Sequence, residues 1–249
     1  MLNDCTSFGL PFEKAADVQA FIEKYGKAAE LHEHADGSYA ILKIDDAITL
    51  TFYGTKEGVD PLAMEPFYMP RRTISAAEVR WLRYPENAVD SGLLSVYMDE
   101  GEAEFPLNIE IPDASLMDNE TTPLTVGGRA EIALILFAES LEVYENAQAY
   151  EEGNDEKSVG AECVIPVGTF AMSQKAEDFT PGSQVLINGI VQDAVIKKNP
   201  LTGLPYWNFI ISCLGYRLEA VAALSEVPEL RIGNVVEGLY HAAGRIVTK

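Results

Sequence analysis

The sequence predicts a mainly β protein of the α+β class, with an acidic, β-rich N-terminal portion and a small C-terminal β-barrel. Three observations support this prediction. Runs of β-branched and aromatic residues recur through most of the 249 residues. From Pro181 onward, glycines interrupt these runs where the strands of a small barrel would bend or turn. The charge changes at the same place, because 34 acidic and 12 basic residues precede Pro181, whereas 5 acidic and 6 basic residues follow it.

We therefore expect two domains, an acidic α+β domain over residues 1–158 and a β-barrel domain over residues 159–249. The best candidate for a linker between them is the segment 151–158, which is polar and contains Gly153. A surface loop inside one domain is the alternative interpretation of this segment. No internal repeat of fixed period is visible in the sequence.

The first elements of the N-terminal portion follow from local patterns. Apolar residues at steps of three or four predict a helix within residues 13–31: Ala15, Val18, Ile22 and Tyr25. Two β-branched and aromatic runs, 38–44 and 47–53, flank Asp45 and Asp46. Because Asp tolerates the backbone conformations of tight turns, these runs are predicted to pair as a hairpin.

The rest of this portion is predicted to alternate loops and strands, with one more helix. The prolines and glycines of residues 54–72 predict an ordered loop. Ser75 followed by Glu78 is typical of a capping box, so a short helix is predicted to begin there. Residues 92–150 read as strands, although it stays open whether all of them are strand. Within them the apolar run 133–138 predicts a strand buried on both faces, with a helix as the alternative.

The C-terminal segment has the pattern of a small barrel. A long strand within residues 184–198 is interrupted by Gly189, strands are predicted at 206–214 and 216–222, and a glycine-punctuated strand pair is predicted to end at Val247. This pattern resembles an OB-fold, and these residues carry the resemblance: Gly182, Val185, Gly189, Val191, Gly233, Val235, Val236 and Gly238. Other small β-barrels or sandwiches are the alternative. We expect the last seventy or so residues to close on themselves as a five-stranded unit.

The resemblance implies a binding face on the second and third strands, since OB-folds bind oligonucleotides or oligosaccharides there. Strand alternation predicts that one face is core and that the other is exposed. The predicted core residues are Trp207, Phe209, Ile211 and Cys213. The predicted ligand-binding residues are Lys197, Lys198, Tyr206, Asn208 and Arg217.

Composition argues against several classes of function. A formal net charge of −21 disfavours nonspecific attraction to nucleic acid or to an anionic membrane. The N-terminus has neither the basic nor the apolar region of a signal peptide, and no apolar run approaches the roughly 20 residues of a membrane span. Cys5, Cys163 and Cys213 are scattered and odd in number, which favours reduced thiols in the cytoplasm.

Residues able to carry chemistry are few. His32 and His34 lie two apart, so on a strand they would share a face and could ligate a metal, but the segment 32–37 equally predicts a polar turn. None of the common catalytic or phosphate-binding motifs occurs. We therefore expect no enzyme activity, no cofactor and no metal.

The predicted function is that of a non-catalytic cytoplasmic binding protein whose acidic surface meets a basic protein partner. The alternative is an OB-fold that binds single-stranded nucleic acid or an oligosaccharide. Titration of the protein with each class of ligand would separate these two predictions.

Overall fold

The computed structural model describes residues 2–34, 37–55, 58–70, 72–83, 91–112, 114, 124–153, 159–169 and 180–247. These residues form a mainly β protein, as predicted, with three α-helices and thirteen strands. The helices are α1 (Leu2–Thr6), α2 (Ala15–Tyr25) and α3 (Ala147–Gly153). Among the described residues, no helix is long and apolar enough to cross a membrane.

The first four strands form an antiparallel sheet in chain order. They are β1 (Glu30–His34), β2 (Gly37–Lys43), β3 (Ile48–Thr55) and β4 (Gly58–Tyr68). The predicted hairpin is confirmed, with Lys43 opposite Thr49. Asp45 closes its turn, since its carboxylate accepts hydrogen bonds of 2.7 Å from the backbone N–H groups of Ala47 and Ile48. β1 and β4 lie where the sequence predicted a turn and a loop.

The remaining nine strands form one mixed sheet that draws on both halves of the chain. They are β5 (Ser75–Arg83), β6 (Gly92–Met98), β7 (Phe105–Ile111), β8 (Arg129–Tyr144), β9 (Cys163–Ile165), β10 (Gln184–Lys198), β11 (Pro205–Cys213), β12 (Tyr216–Ala223) and β13 (Val235–Ile246). The predicted helix at Ser75 is wrong, because this segment is β5, paired with β6 and β8. Its inward residues Ala77 and Val79 enter the core, and this burial outweighs local helix propensity.

The strand pairings of this sheet close two rings of five strands. In the first ring, β5, β6 and β7 form a meander that is completed by β13, parallel to β7, and by β8. In the second ring, β10, β11 and β12 form a meander that is completed by β8, parallel to β12, and by β13. The antiparallel pair β8–β13, which we call the central ribbon, therefore belongs to both rings.

The central ribbon corrects the expectation that the last seventy residues close on themselves. The second ring takes its fifth strand from residues 129–144, which precede the predicted domain boundary at 158. The physical reason is the burial of β8 on both faces. Leu134 and Leu136 point into the ring cores, whereas Ile135 and Phe137 point to the opposite side. The predicted strand at 133–138 is confirmed. Residues 92–150 are not all strand, because α3 begins at Ala147.

The two rings share a local feature, a bulged first strand that is hydrogen-bonded to a glycine turn. β5 and β10 are bulged just after Val79 and Val191, respectively. The backbone N–H of Gly127 donates to the carbonyl of Val79 (2.8 Å), and that of Gly233 donates to the carbonyl of Val191 (2.9 Å). Both glycines have positive φ, 81° and 89°, which favours glycine at each turn into the ribbon.

The ribbon also pairs equivalent residues with each other. Gly127 and Gly233 are separated by 106 positions (233 − 127). The directly paired residues Leu136 and Ala242 are separated by the same number (242 − 136). An antiparallel pair of equivalent residues marks a local twofold axis, so the fold contains a repeat of four strands, β5–β8 and β10–β13, that sequence inspection did not detect.

The first sheet, together with α1 and α2, forms an N-terminal layer, the described residues of 2–70, that packs on one face of the rings. Its apolar core includes Phe8, Phe52 and Phe67. From the rings it meets Ile135, Phe137, Tyr206, Val221 and Ala243. The layer therefore covers the central ribbon and the outer face of β11 and β12.

Candidate functional site

The structure brings two of the predicted ligand-binding residues together. Lys197 and Tyr206 face each other across the β10–β11 pair. They line a cavity of about 430 Å³ with Asp45, Asp46 and Tyr68. The ammonium of Lys197 donates to the Tyr68 hydroxyl (2.6 Å). Tyr206 is buried rather than exposed, since only 2% of its surface meets solvent. The acids and the engaged ammonium make this cavity a poor binding site for phosphate.

Asn208 lies elsewhere on β11 and is fully buried, which also differs from the exposed position that strand alternation predicted. Its side-chain oxygen accepts from the guanidinium of Arg72 (2.8 Å), and its amide donates to Glu219 (2.8 Å). Arg72 also pairs with Asp193. Asn208 therefore belongs to an internal ionic network between the rings and residue 72.

The other two predicted residues are exposed. Lys198 lies at the end of β10, opposite Pro205. Arg217 lines a different cavity of about 340 Å³, with Arg72 and Tyr216 among its neighbours. The five predicted residues thus form no single surface. Alternation along a strand could not reveal this, because the covering layer comes from a distant part of the chain.

His32 lies on β1, within the segment predicted as either a metal site or a turn. Its ring stacks on Tyr39 with a centroid separation of 4.9 Å, and its Nε2 is 3.7 Å from a carboxylate oxygen of Glu30. Across the described residues, no group of three or more His, Cys, Asp or Glu side chains is placed to hold a metal. The side chain of His34 lies outside the described part of the chain.

A surface groove of about 480 Å³ lies at the C-terminal end of β8. We call it the acidic groove. Its apolar surface includes Leu141, Val143 and Val227, and Val143 is 37% exposed there. The lining residues are Leu141, Val143, Tyr144, Glu145, Glu226, Val227, Pro228, Glu229, Arg231 and Asn234.

The charge of this groove is negative. Glu145, Glu226 and Glu229 contribute carboxylates, and the guanidinium of Arg231 pairs with Glu229. Partial burial raises the pKa of the Glu226 carboxyl, because its charged form is incompletely hydrated. A cation placed in the groove would offset that cost. Sequence reasoning missed these residues, since the three acids come from the residue after β8 and from the loop before β13.

Hydrogen bonds fix the loop that forms one wall of the groove. The Asn234 side chain accepts from the backbone N–H of Arg231 (2.7 Å) and donates to the carbonyl of Glu145 (3.0 Å). Gly233, with its positive φ, turns the chain between them. The groove is therefore held by the same turn that starts the central ribbon.

A second cluster of ionisable groups is buried between the N-terminal layer and the rings. His241 lies between two carboxylates: its Nδ1 is 3.0 Å from Asp4, and its Nε2 contacts Glu110. Glu110 also accepts from the Ser91 hydroxyl, and Glu65 is close enough to influence the pKa of Glu110. Two of these residues, Asp4 and Glu65, belong to the layer.

The protonation states in this cluster follow from its geometry. Burial opposes a charge on His241, but Glu110 and Asp4 outweigh this effect and raise the pKa of His241 well above its usual value. Burial would raise the pKa of Glu110, yet the charge of His241 and hydrogen bonds lower it to about 2. For Glu65, burial and the neighbouring Glu110 raise the pKa well above its usual value.

Comparison with known proteins adds no family assignment. No protein-family model matches the sequence. A search of curated proteins likewise found no match.

Proposed function

We propose that this chain is a non-catalytic binding protein whose acidic groove receives a basic, partly apolar segment of a protein partner. The single observation that supports this proposal is the groove itself, in which three carboxylates border an apolar surface. A lysine or arginine beside a leucine-type residue is the complementary chemistry. The overall charge of −21 would accelerate the encounter with such a partner and make it sensitive to salt.

We also propose that the second ring is OB-like. This proposal is supported by the closure of five strands into a ring and by the length of β10, the first strand of the segment β10–β13. In β10 a side chain at Gly189 would come within 2.2 Å of Ile211, so glycine allows the close approach of β11. The ring departs from the expected pattern in taking β8 from earlier in the chain.

The groove is tested by titrating the full-length protein with a short peptide that carries lysines beside a leucine, at low and at high salt. A peptide with glutamates in place of the lysines is the control. The double variant Glu145→Gln/Glu226→Gln is expected to weaken binding by roughly five- to thirtyfold, since each exposed charge pair contributes about 0.5–1 kcal/mol.

A matched variant separates the groove from general electrostatic attraction. Glu102→Gln/Glu104→Gln removes the same number of charges from the exposed β6–β7 turn. This variant should bind the lysine peptide as the wild type does. Equal weakening by both double variants, or binding that does not change with salt, would refute the assignment of the groove.

The alternative of a nucleic acid or glycan ligand at Lys197 and Tyr206 is supported only by their shared cavity. Asp45 and Asp46 line it as well, which favours an uncharged sugar over a phosphate chain. Fluorescence titration with oligonucleotides and oligosaccharides tests this alternative. If Lys197→Ala leaves any such binding unchanged, the ligand does not occupy this cavity.

A further inference from the structure

Five ionisable side chains meet at the boundary between the N-terminal layer and the rings, and three of them are buried. The layer contributes Asp4 from α1, Tyr53 from β3 and Glu65 from β4. The rings contribute Glu110 from β7 and His241 from β13. A second cation, the guanidinium of Arg245 on β13, lies 4.4 Å from the centre of the Phe67 ring and donates to Thr49 (3.3 Å), both of which belong to the layer.

The hydrogen bonds of this cluster require a proton on a carboxyl group. The Tyr53 hydroxyl contacts both the carbonyl oxygen of Pro112 and a carboxyl oxygen of Glu65, at 3.0 Å for the latter. A carbonyl oxygen cannot donate, so if Glu65 were ionised the single hydrogen of Tyr53 would have to serve both contacts. Glu65 is therefore the group that supplies the missing hydrogen.

His241 is the second proton carrier of the boundary. Its two ring nitrogens each face a carboxylate, one from the layer and one from the rings. A ring that donates from both nitrogens is an imidazolium. When layer and rings separate, Glu65 and His241 both return to water, where each holds its proton less tightly.

We propose that the N-terminal layer is a proton-sensitive cap over the rings, attached by the contacts Asp4–His241–Glu110 and Glu65–Tyr53–Pro112 and loosened as pH rises. The face beneath this cap includes the buried Tyr206 and Val221. Opening of the cap would therefore expose the surface of β11 and β12 that the sequence predicted to bind ligand. This inference is independent of the acidic groove.

The expected pH dependence follows from the two protons. Between the usual pKa of glutamic acid and the raised value in the fold, opening releases one proton from Glu65. Each pH unit in that range then multiplies the opening constant roughly tenfold. His241 adds a second proton only above the usual pKa of histidine, roughly 6.5. From pH 5.0 to 6.5 the opening constant should therefore rise chiefly through Glu65, and by no more than roughly thirtyfold from that one proton.

Hydrogen exchange of the full-length protein, read by mass spectrometry and corrected for intrinsic rates, measures this opening. Peptides from β3 and β4 report the cap, and peptides from β11 and β12 of the same molecule are the internal reference. In the wild type, the opening constant of the cap peptides divided by that of the reference peptides should rise between pH 5.0 and 6.5. In Glu65→Gln this ratio should stay nearly constant, because the amide donates a hydrogen at every pH.

Glu104→Gln, an exposed change on the β6–β7 turn, is the matched control and should behave as the wild type. Cap and reference peptides that exchange together at every pH would overturn the proposal, as would a Glu65→Gln variant with undiminished pH dependence. Should Glu65→Gln not fold, NMR titration of His241 in the wild type decides. A neutral His241 ring at pH 7.5 overturns the proposal, and an imidazolium at that pH supports it.

Discussion

Deleting the first half of the central ribbon should prevent the C-terminal segment from folding. Residues 159–249 contain β10 to β13 but lack β8, so the second ring would be open. The loss removes Ile132, Leu134 and Leu136 from the ring cores, where each is at least 98% buried. At about 1.5–3 kcal/mol for each side chain, this amounts to about 5–9 kcal/mol. This loss is comparable with the total stability of a small domain, about 5–15 kcal/mol, so the segment should not fold.

The assay is circular dichroism with urea denaturation, and a longer segment provides the matched control. Residues 124–249 include β8 and can close the second ring, so they should unfold cooperatively, although Ile135 and Phe137 lose the cover of the layer. Residues 159–249 should show no cooperative transition. A cooperative transition in 159–249, in which the unfolding free energy falls with urea concentration as steeply as its length predicts, would refute the reasoning and support an independent C-terminal domain.

Three further predictions concern stability. In a urea titration, Gly189→Ala should destabilise the protein by about 1–3 kcal/mol, because the added Cβ would lie 2.2 Å from a methyl carbon of Ile211. The control Gly182→Ala has no atom within 4 Å of its added Cβ and should be neutral or slightly stabilising. Leu136→Ala should cost about 2–5 kcal/mol by the same measurement, since this fully buried side chain lies at the centre of the ribbon, and a smaller loss would mean that the rings do not share it. Burial opposes ionisation of Glu110, but the His241 charge and hydrogen bonds hold its pKa near 2, so they give stability that is present above about pH 4.5 and lost as pH falls towards 2. Glu110→Gln should therefore reduce the loss of unfolding free energy in that range by about 3 kcal/mol. An unchanged loss at acid pH would show that Glu110 is not ionised in the fold.

Local patterns predicted the elements whose partners are nearby in sequence. The hairpin around Asp45 and the long strand β10 follow from alternation, turn residues and Gly189. β5 was misassigned because Ser75 and Glu78 fit a capping box, while its strand pairing depends on β6 and β8. Propensity is a weak guide wherever tertiary pairing decides.

The candidate site was less predictable, because its geometry depends on contacts across the whole chain. The parallel pairing of β8 with β12 has no local signal in either strand. Tyr206 and Asn208 alternate as exposed residues would, yet the layer and Arg72 bury them. The acidic groove joins Glu145 to Glu226 and Glu229, which lie on opposite sides of the predicted domain boundary.

The sharing of the central ribbon constrains the order in which the chain can be completed during synthesis. The first ring needs β13, which ends at Ile246, so β5 to β8 must wait until that residue has left the ribosome. Meanwhile the apolar run of β8 has neither of its final neighbours from the second half. Transiently exposed segments of this kind promote aggregation, so the nascent protein should depend on chaperones until β13 has been synthesised.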